Sequence, residues 1–135
     1  MDGYGKRSLV VDDDEQVRLL LSLVLAQDGY SVHTASGGEE ALGEMMKRRF
    51  DAILTDVEMP RMTGLDILSY CRTASPDVPV ILMSAITGDP RNPVLEQGAF
   101  ACLEKPFAAD ELLCALRMAC GTKTVEERAG ADGRW

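Results

Sequence analysis

Polar residues with chemistry to offer close four separate apolar runs. Asp12 and Asp13 follow Ser8-Leu9-Val10-Val11, and Asp56 follows Ala52-Ile53-Leu54-Thr55. Ser84 follows Val80-Ile81-Leu82-Met83, and Lys105 follows Ala101-Cys102-Leu103-Glu104. Brought into one cleft, three carboxylates repel and raise each other's pKa. A hard divalent cation removes that conflict, and an all-oxygen ligand set with retained waters suits Mg2+. Lys105 adds a further positive charge. Such a cluster screens an incoming phosphoryl group and makes attack by a carboxylate feasible. Asp56 is then the nucleophile, forming an acyl phosphate, and the Ser84 hydroxyl donates to a phosphoryl oxygen. Taken singly, each piece has a plainer reading. The acidic triplet Asp12-Asp13-Asp14 serves as a helix-capping loop. Asp56 ends a strand, Lys105-Pro106 makes a surface turn, and Ser84 alone says nothing. Only their joint placement favours chemistry.

The elements that must position these groups alternate along the chain. Each apolar run reads as a buried strand. After the first comes a helical stripe of Val17, Leu20, Leu21, Val24 and Leu25, with Asp14 as N-cap, Glu15 in the first turn and Gly29 as the stop. Ser31–Ala35 is a strand, and Glu39–Arg48 a helix with Leu42, Met45 and Met46 inward. Gly64–Thr73 is a third helix with Leu65, Leu68 and Cys71 on one face, and Pro93–Gln97 a short fourth. Ala108–Cys120 is the last, burying Leu112, Leu113 and Leu116. Such alternation implies an α/β fold, a single doubly wound parallel sheet of five strands with helices on both faces. In that arrangement the strands' carboxyl ends share one edge, where sites form. From about Gly121 the sequence loses its apolar period, and residues 121–135 read as a mobile tail after a domain of residues 6–120. The chain is either a stand-alone protein or cut from a longer one, and the run after the last helix leans toward the first.

Composition excludes several functions. With 14 Lys and Arg against 22 Asp and Glu, the net charge is -8. An acidic chain gains little from nucleic-acid phosphates or anionic membrane surfaces. No run of apolar residues is long enough to span a bilayer, and MDGYGKRS lacks the apolar region of a signal peptide. Cys71, Cys102, Cys114 and Cys120 form no C-x-x-C pair, and His33 is the only histidine, so the cysteines read as reduced thiols and not as a zinc site.

The segments LVVDDDEQVR, DAILTDVEMPRMTGLDIL, PVILMSA and GAFACLEKPF, in this order over roughly residues 6–120, closely resemble the receiver domains of response regulators. The resemblance implies a flavodoxin-like (βα)5 fold with strand order 2-1-3-4-5. It implies that Asp56 is the phosphoacceptor, and that Asp13 and Asp56, with Asp12 close by and the backbone carbonyl of Glu58, hold Mg2+. Ser84 matches the family's Ser/Thr and Lys105 its lysine. The donor would be a phosphohistidine on a sensor histidine kinase or histidine phosphotransfer protein in a cytoplasmic two-component phosphorelay. Phosphorylation would change the face formed by the fourth helix, fifth strand and last helix, which can also support a phosphorylation-dependent homodimer. The cognate kinase and the output partner are not named by the sequence. Such a domain promotes its own phosphorylation and dephosphorylation and turns over no other substrate. The Lys105-Pro106 bond is expected to be cis, aiming the ammonium back into the acidic cleft.

The chain also departs from the family. Three residues before the lysine, where Tyr or Phe is usual, stands Cys102; Phe100 would share its face in a regular strand. The segment Gly88-Asp89-Pro90-Arg91-Asn92-Pro93 carries two prolines where the fourth helix normally begins. Coupling is therefore expected to run through Ser84 and the loop Ala85–Pro93. Two other classes compete. An aspartyl-nucleophile phosphatase would use Asp12 of Asp12-x-Asp14, but the chain is short for one. A non-phosphorylated scaffold would be expected to lack the acceptor or the lysine.

Overall fold

Strands and helices alternate as β1 (Arg7–Val11), α1 (Glu15–Gln27), β2 (Ser31–Ala35), α2 (Gly38–Lys47), β3 (Ala52–Asp56), α3 (Gly64–Ala74), β4 (Val80–Ser84), β5 (Ala101–Glu104) and α4 (Ala109–Asp132) in the computed structural model. The structure describes residues 5–85 and 97–132. All strand pairings are parallel and the order is β2-β1-β3-β4-β5, as expected. The short helix expected over Pro93–Gln97 lies, apart from Gln97, outside the described residues, as does most of the loop Ala85–Pro93.

Strand side chains point alternately to opposite faces, and both faces are covered. Leu9, Val11, Ile53, Val80 and Leu82 pack with Ala41 of α2 and with Ile67, Leu68 and Cys71 of α3. Val10, Leu54, Ile81 and Met83 pack on the other face with Leu21 and Leu25 of α1 and with Leu112 and Leu116 of α4. Three central strands buried from both sides explain why their sequences are apolar without alternation.

The structure corrects three expectations. Leu20 stands at the edge of the α1 stripe and is exposed, while Leu21 and Leu25 are its buried members. Met46 points to solvent, and Met45 is the α2 methionine that packs on the core. The last helix continues past Cys120 to Asp132. Glu, Arg and Ala in that segment favour helix, and extending an existing helix avoids the cost of nucleation, so no apolar period is required.

Candidate functional site

The carboxyl ends of β1, β3, β4 and β5 form one edge. Asp56 is the last residue of β3, paired with Met83 of β4, so Ser84 lies one step beyond it. The Lys105 amide donates to the Ser84 carbonyl at 2.8 Å, which ties the ends of β4 and β5 together. The Lys105-Pro106 bond is cis, as the sequence reading expects.

Asp12, Asp13 and Asp56 each offer a carboxylate oxygen within 4.8 Å of the other two. Asp12 and Asp56 are buried, and Asp13 is exposed. The Lys105 ammonium bridges the buried pair, at 3.3 Å from Asp12 Oδ2 and 3.4 Å from Asp56 Oδ1. Asp12 Oδ1 accepts from the Asp14 amide at 2.9 Å, and the Arg18 guanidinium donates to the Asp12 carbonyl at 2.6 Å. Asp14 in turn caps α1, as expected, accepting from the amides of Gln16 and Val17. The acidic loop is thus both a helix cap and a carboxylate cluster: Asp14 performs the first task and leaves Asp12 and Asp13 for the second.

Asp56 Oδ1 also accepts from the Glu58 amide at 3.3 Å. Burial pushes the Asp56 carboxyl above the usual range and the neighbouring Asp12 adds to this, against the opposing pull of Lys105. Burial alone would lower the Lys105 ammonium, but the carboxylates of Asp12 and Asp56 outweigh it and raise the pKa. The loop after β3 is anchored to α3. Thr63 and Asp66 form a capping box, and Gly64 lies so close to the Asp56 carbonyl that a side chain there would overlap backbone.

The Ser84 hydroxyl, buried at the end of β4, donates to Glu58 Oε2 at 2.9 Å, and the Ala85 amide donates to Glu58 Oε1 at 3.1 Å. The sequence reading assigns Glu58 only a backbone role, and its side chain was missed. Its place two residues after Asp56, on the loop facing the end of β4, was the available signal. Cys102 is half-buried against the core on the α2–α3 face, and Phe100 is exposed.

The model of the family described as the response regulator receiver domain matches residues 8–117. The chain belongs to that family. Receiver domains are signalling switches of two-component systems, and this chain is one by sequence and by fold. It is 40% identical over 125 residues to the response regulator MprA of Mycolicibacterium vanbaalenii, covering 92% of this chain and 54% of that protein. The chain thus spans about half the length of the curated relatives it matches. A response regulator receiver domain protein from Clostridium thermocellum superposes with a TM-score of 0.81 at 32% identity, covering 89% of this chain and 98% of that one. The response regulator TrrA from Thermotoga maritima, solved in complex with Mg(2+)-BeF, superposes with a TM-score of 0.78 at 33% identity, covering 84% and 98%. Among the described residues no helix is long and apolar enough to cross a membrane.

Proposed function

We propose that Asp56 accepts a phosphoryl group from a phosphohistidine donor, a sensor histidine kinase or a histidine phosphotransfer protein, and that the acyl phosphate is this receiver domain's signal. The observation that carries this reading is the Asp12–Asp13–Asp56 carboxylate cluster with Lys105 bridging its two buried members. The donor set fits Mg2+: all of its atoms are carboxylate oxygens, one ligand is exposed so that waters can complete the shell, and the excess negative charge calls for a cation. Asp12, Asp13, Asp56 and the backbone carbonyl of Glu58 would hold the ion. Bound there, it supplies positive charge that offsets repulsion between the carboxylates and a phosphoryl group.

The chain's own groups divide the remaining work. Both oxygens of Asp12 are engaged, by the Asp14 amide and by Lys105, which supports Asp56 and not Asp12 as the nucleophile. Asp56 Oδ1 is held by Lys105 and the Glu58 amide, which leaves Oδ2 to attack. As the new O–P bond forms, the donor's P–N bond breaks and its electron pair leaves with the imidazole nitrogen. Lys105 offsets the charge that develops on the phosphoryl oxygens, and Ser84 donates its hydroxyl to one of them. The domain assists its own loading and hydrolysis and acts on no other substrate. The domain spans residues 6–120 and works in the cytoplasm, with no direct nucleic-acid or membrane contact. Loading favours a partner-binding form of the face around β5 and α4, and a homodimer through that face.

Acetyl phosphate with Mg2+ tests this directly. Wild type should gain the mass of one phosphoryl group, and Asp56→Asn or EDTA should abolish the gain. Equal labelling of Asp56→Asn would sink the assignment.

A further inference from the structure

The Ser84 hydroxyl that a phosphoryl group on Asp56 would use, and the amide next to it, are both engaged in the domain without a phosphoryl group. The Ser84 hydroxyl and the Ala85 amide both point to the carboxylate of Glu58, one to each oxygen, at 2.9 and 3.1 Å. A carboxylate and one face of a phosphoryl group present the same thing to such donors, a pair of anionic oxygens that only accept. Glu58 follows Asp56 by two residues, and its own amide donates to Asp56 Oδ1. Its side chain therefore extends from the loop that follows Asp56 across to the end of β4. We propose that the Glu58 side chain is an internal occupant of the phosphoryl-oxygen subsite: it holds Ser84 and Ala85 while Asp56 is free and must swing out before the phosphoryl group can take these donors. Glu58 thus sets how readily Asp56 is loaded. This inference rests on the reading of Asp56 as phosphoacceptor.

The surroundings agree with a movable occupant. Glu58 is exposed as a residue although both carboxylate oxygens are bonded, so it can turn to solvent without unpacking the core. No cation within salt-bridge reach of the Glu58 carboxylate is found among the described residues, Lys105 being taken up by Asp12 and Asp56. Glu58 also brings a further negative charge to the path of an anion. Cys102, on the strand beside β4, senses that charge: burial raises its thiol pKa and the Glu58 carboxylate adds to the rise.

The occupant acts on the binding equilibrium by competition, so its removal should favour the loaded form by the two hydrogen bonds no longer to be broken and the repulsion no longer met. Loss of surface contacts of this kind corresponds to about three- to tenfold in an equilibrium constant. The test compares wild type with Glu58→Gln and Glu58→Ala, which leave the backbone carbonyl in place. In the protein without metal, the Ala85 amide should exchange its hydrogen slowly in wild type and faster in Glu58→Ala. At saturating Mg2+, Glu58→Ala should bind beryllofluoride about three- to tenfold tighter and load from acetyl phosphate faster. Glu58→Gln, which keeps one acceptor and loses the charge, should fall between. A wild type that loads normally beside a Glu58→Ala variant with unchanged or weaker beryllofluoride affinity would overturn the occupant and leave the phosphoacceptor reading standing. Unchanged exchange of the Ala85 amide would overturn it as well. A wild type that neither loads nor binds beryllofluoride would overturn both.

Discussion

Replacing Lys105 by Met keeps an unbranched side chain one atom shorter and removes its charge. The ammonium lies 3.3 Å from Asp12 and 3.4 Å from Asp56, and each attraction is about 5 kcal/mol at an effective dielectric constant of about 20. That gross gain is offset by the cost of desolvating the ammonium and by screening, since the Lys105 side chain is 27% exposed. Removing one partner of a fully buried pair costs about 3–5 kcal/mol, so about 2–3 kcal/mol is expected here. For a domain of this length the melting temperature should fall by about 6–15 °C. The measurement is a thermal melt in EDTA at pH 8, repeated with saturating Mg2+. A cation in the cluster replaces the missing charge, and without the opposing ammonium it binds more tightly. The gap between variant and wild type should therefore narrow with Mg2+. Equal melting temperatures in EDTA, or a gap that Mg2+ leaves unchanged, would refute the view that Lys105 neutralises this cluster.

Other consequences follow from single contacts. Gly64→Ala would place a Cβ against the Asp56 carbonyl and 2.9 Å from Val57 Cα, both backbone. It should cost about 1–3 kcal/mol in a urea titration and slow the loading of Asp56. Thr63→Ala opens the capping box of α3 and should cost about 1 kcal/mol, read from the same titration. His33 is held below its usual 6.5 by burial and by the guanidinium groups of Arg48 and Arg7, against the pull of Glu44. Its Nδ1 lies 2.7 Å from Arg48 Nη1, and Phe50 meets the ring edge-on. As pH falls, the unfolded chain takes up this proton before the folded one. Stability should thus drop from about pH 6.5 down through the folded value, with none of this loss above 6.5. His33→Gln should flatten that part of the curve of melting temperature against pH, and an unchanged slope would exclude His33 as its source.

What the sequence determined by itself was the alternation of elements and the edge on which the polar residues meet. Apolar runs such as Val80–Met83 must be buried, and the residue that follows each run marks a strand's carboxyl end. In a parallel sheet those ends share an edge, so Asp12, Asp56, Ser84 and Lys105 are brought together by pattern alone. Asp14 was legible as a cap because capping is local, set by residues within one turn. The order of the strands came with the family resemblance and not from periodicity. Only the tertiary structure decided which charges pair. Lys105 could have faced solvent; the bend after β5 and the depth of the cleft put it between Asp12 and Asp56. The Glu58 side chain could likewise have pointed outward from its exposed loop, and it lies on Ser84 and Ala85 because two donors, one ending β4 and one just beyond it, meet it there. The exposure of Leu20 and Met46 was decided in the same way, since periodicity gives a stripe and not its edges. The edge depends on how wide a face the sheet leaves for each helix to cover, a contact between residues far apart in the chain.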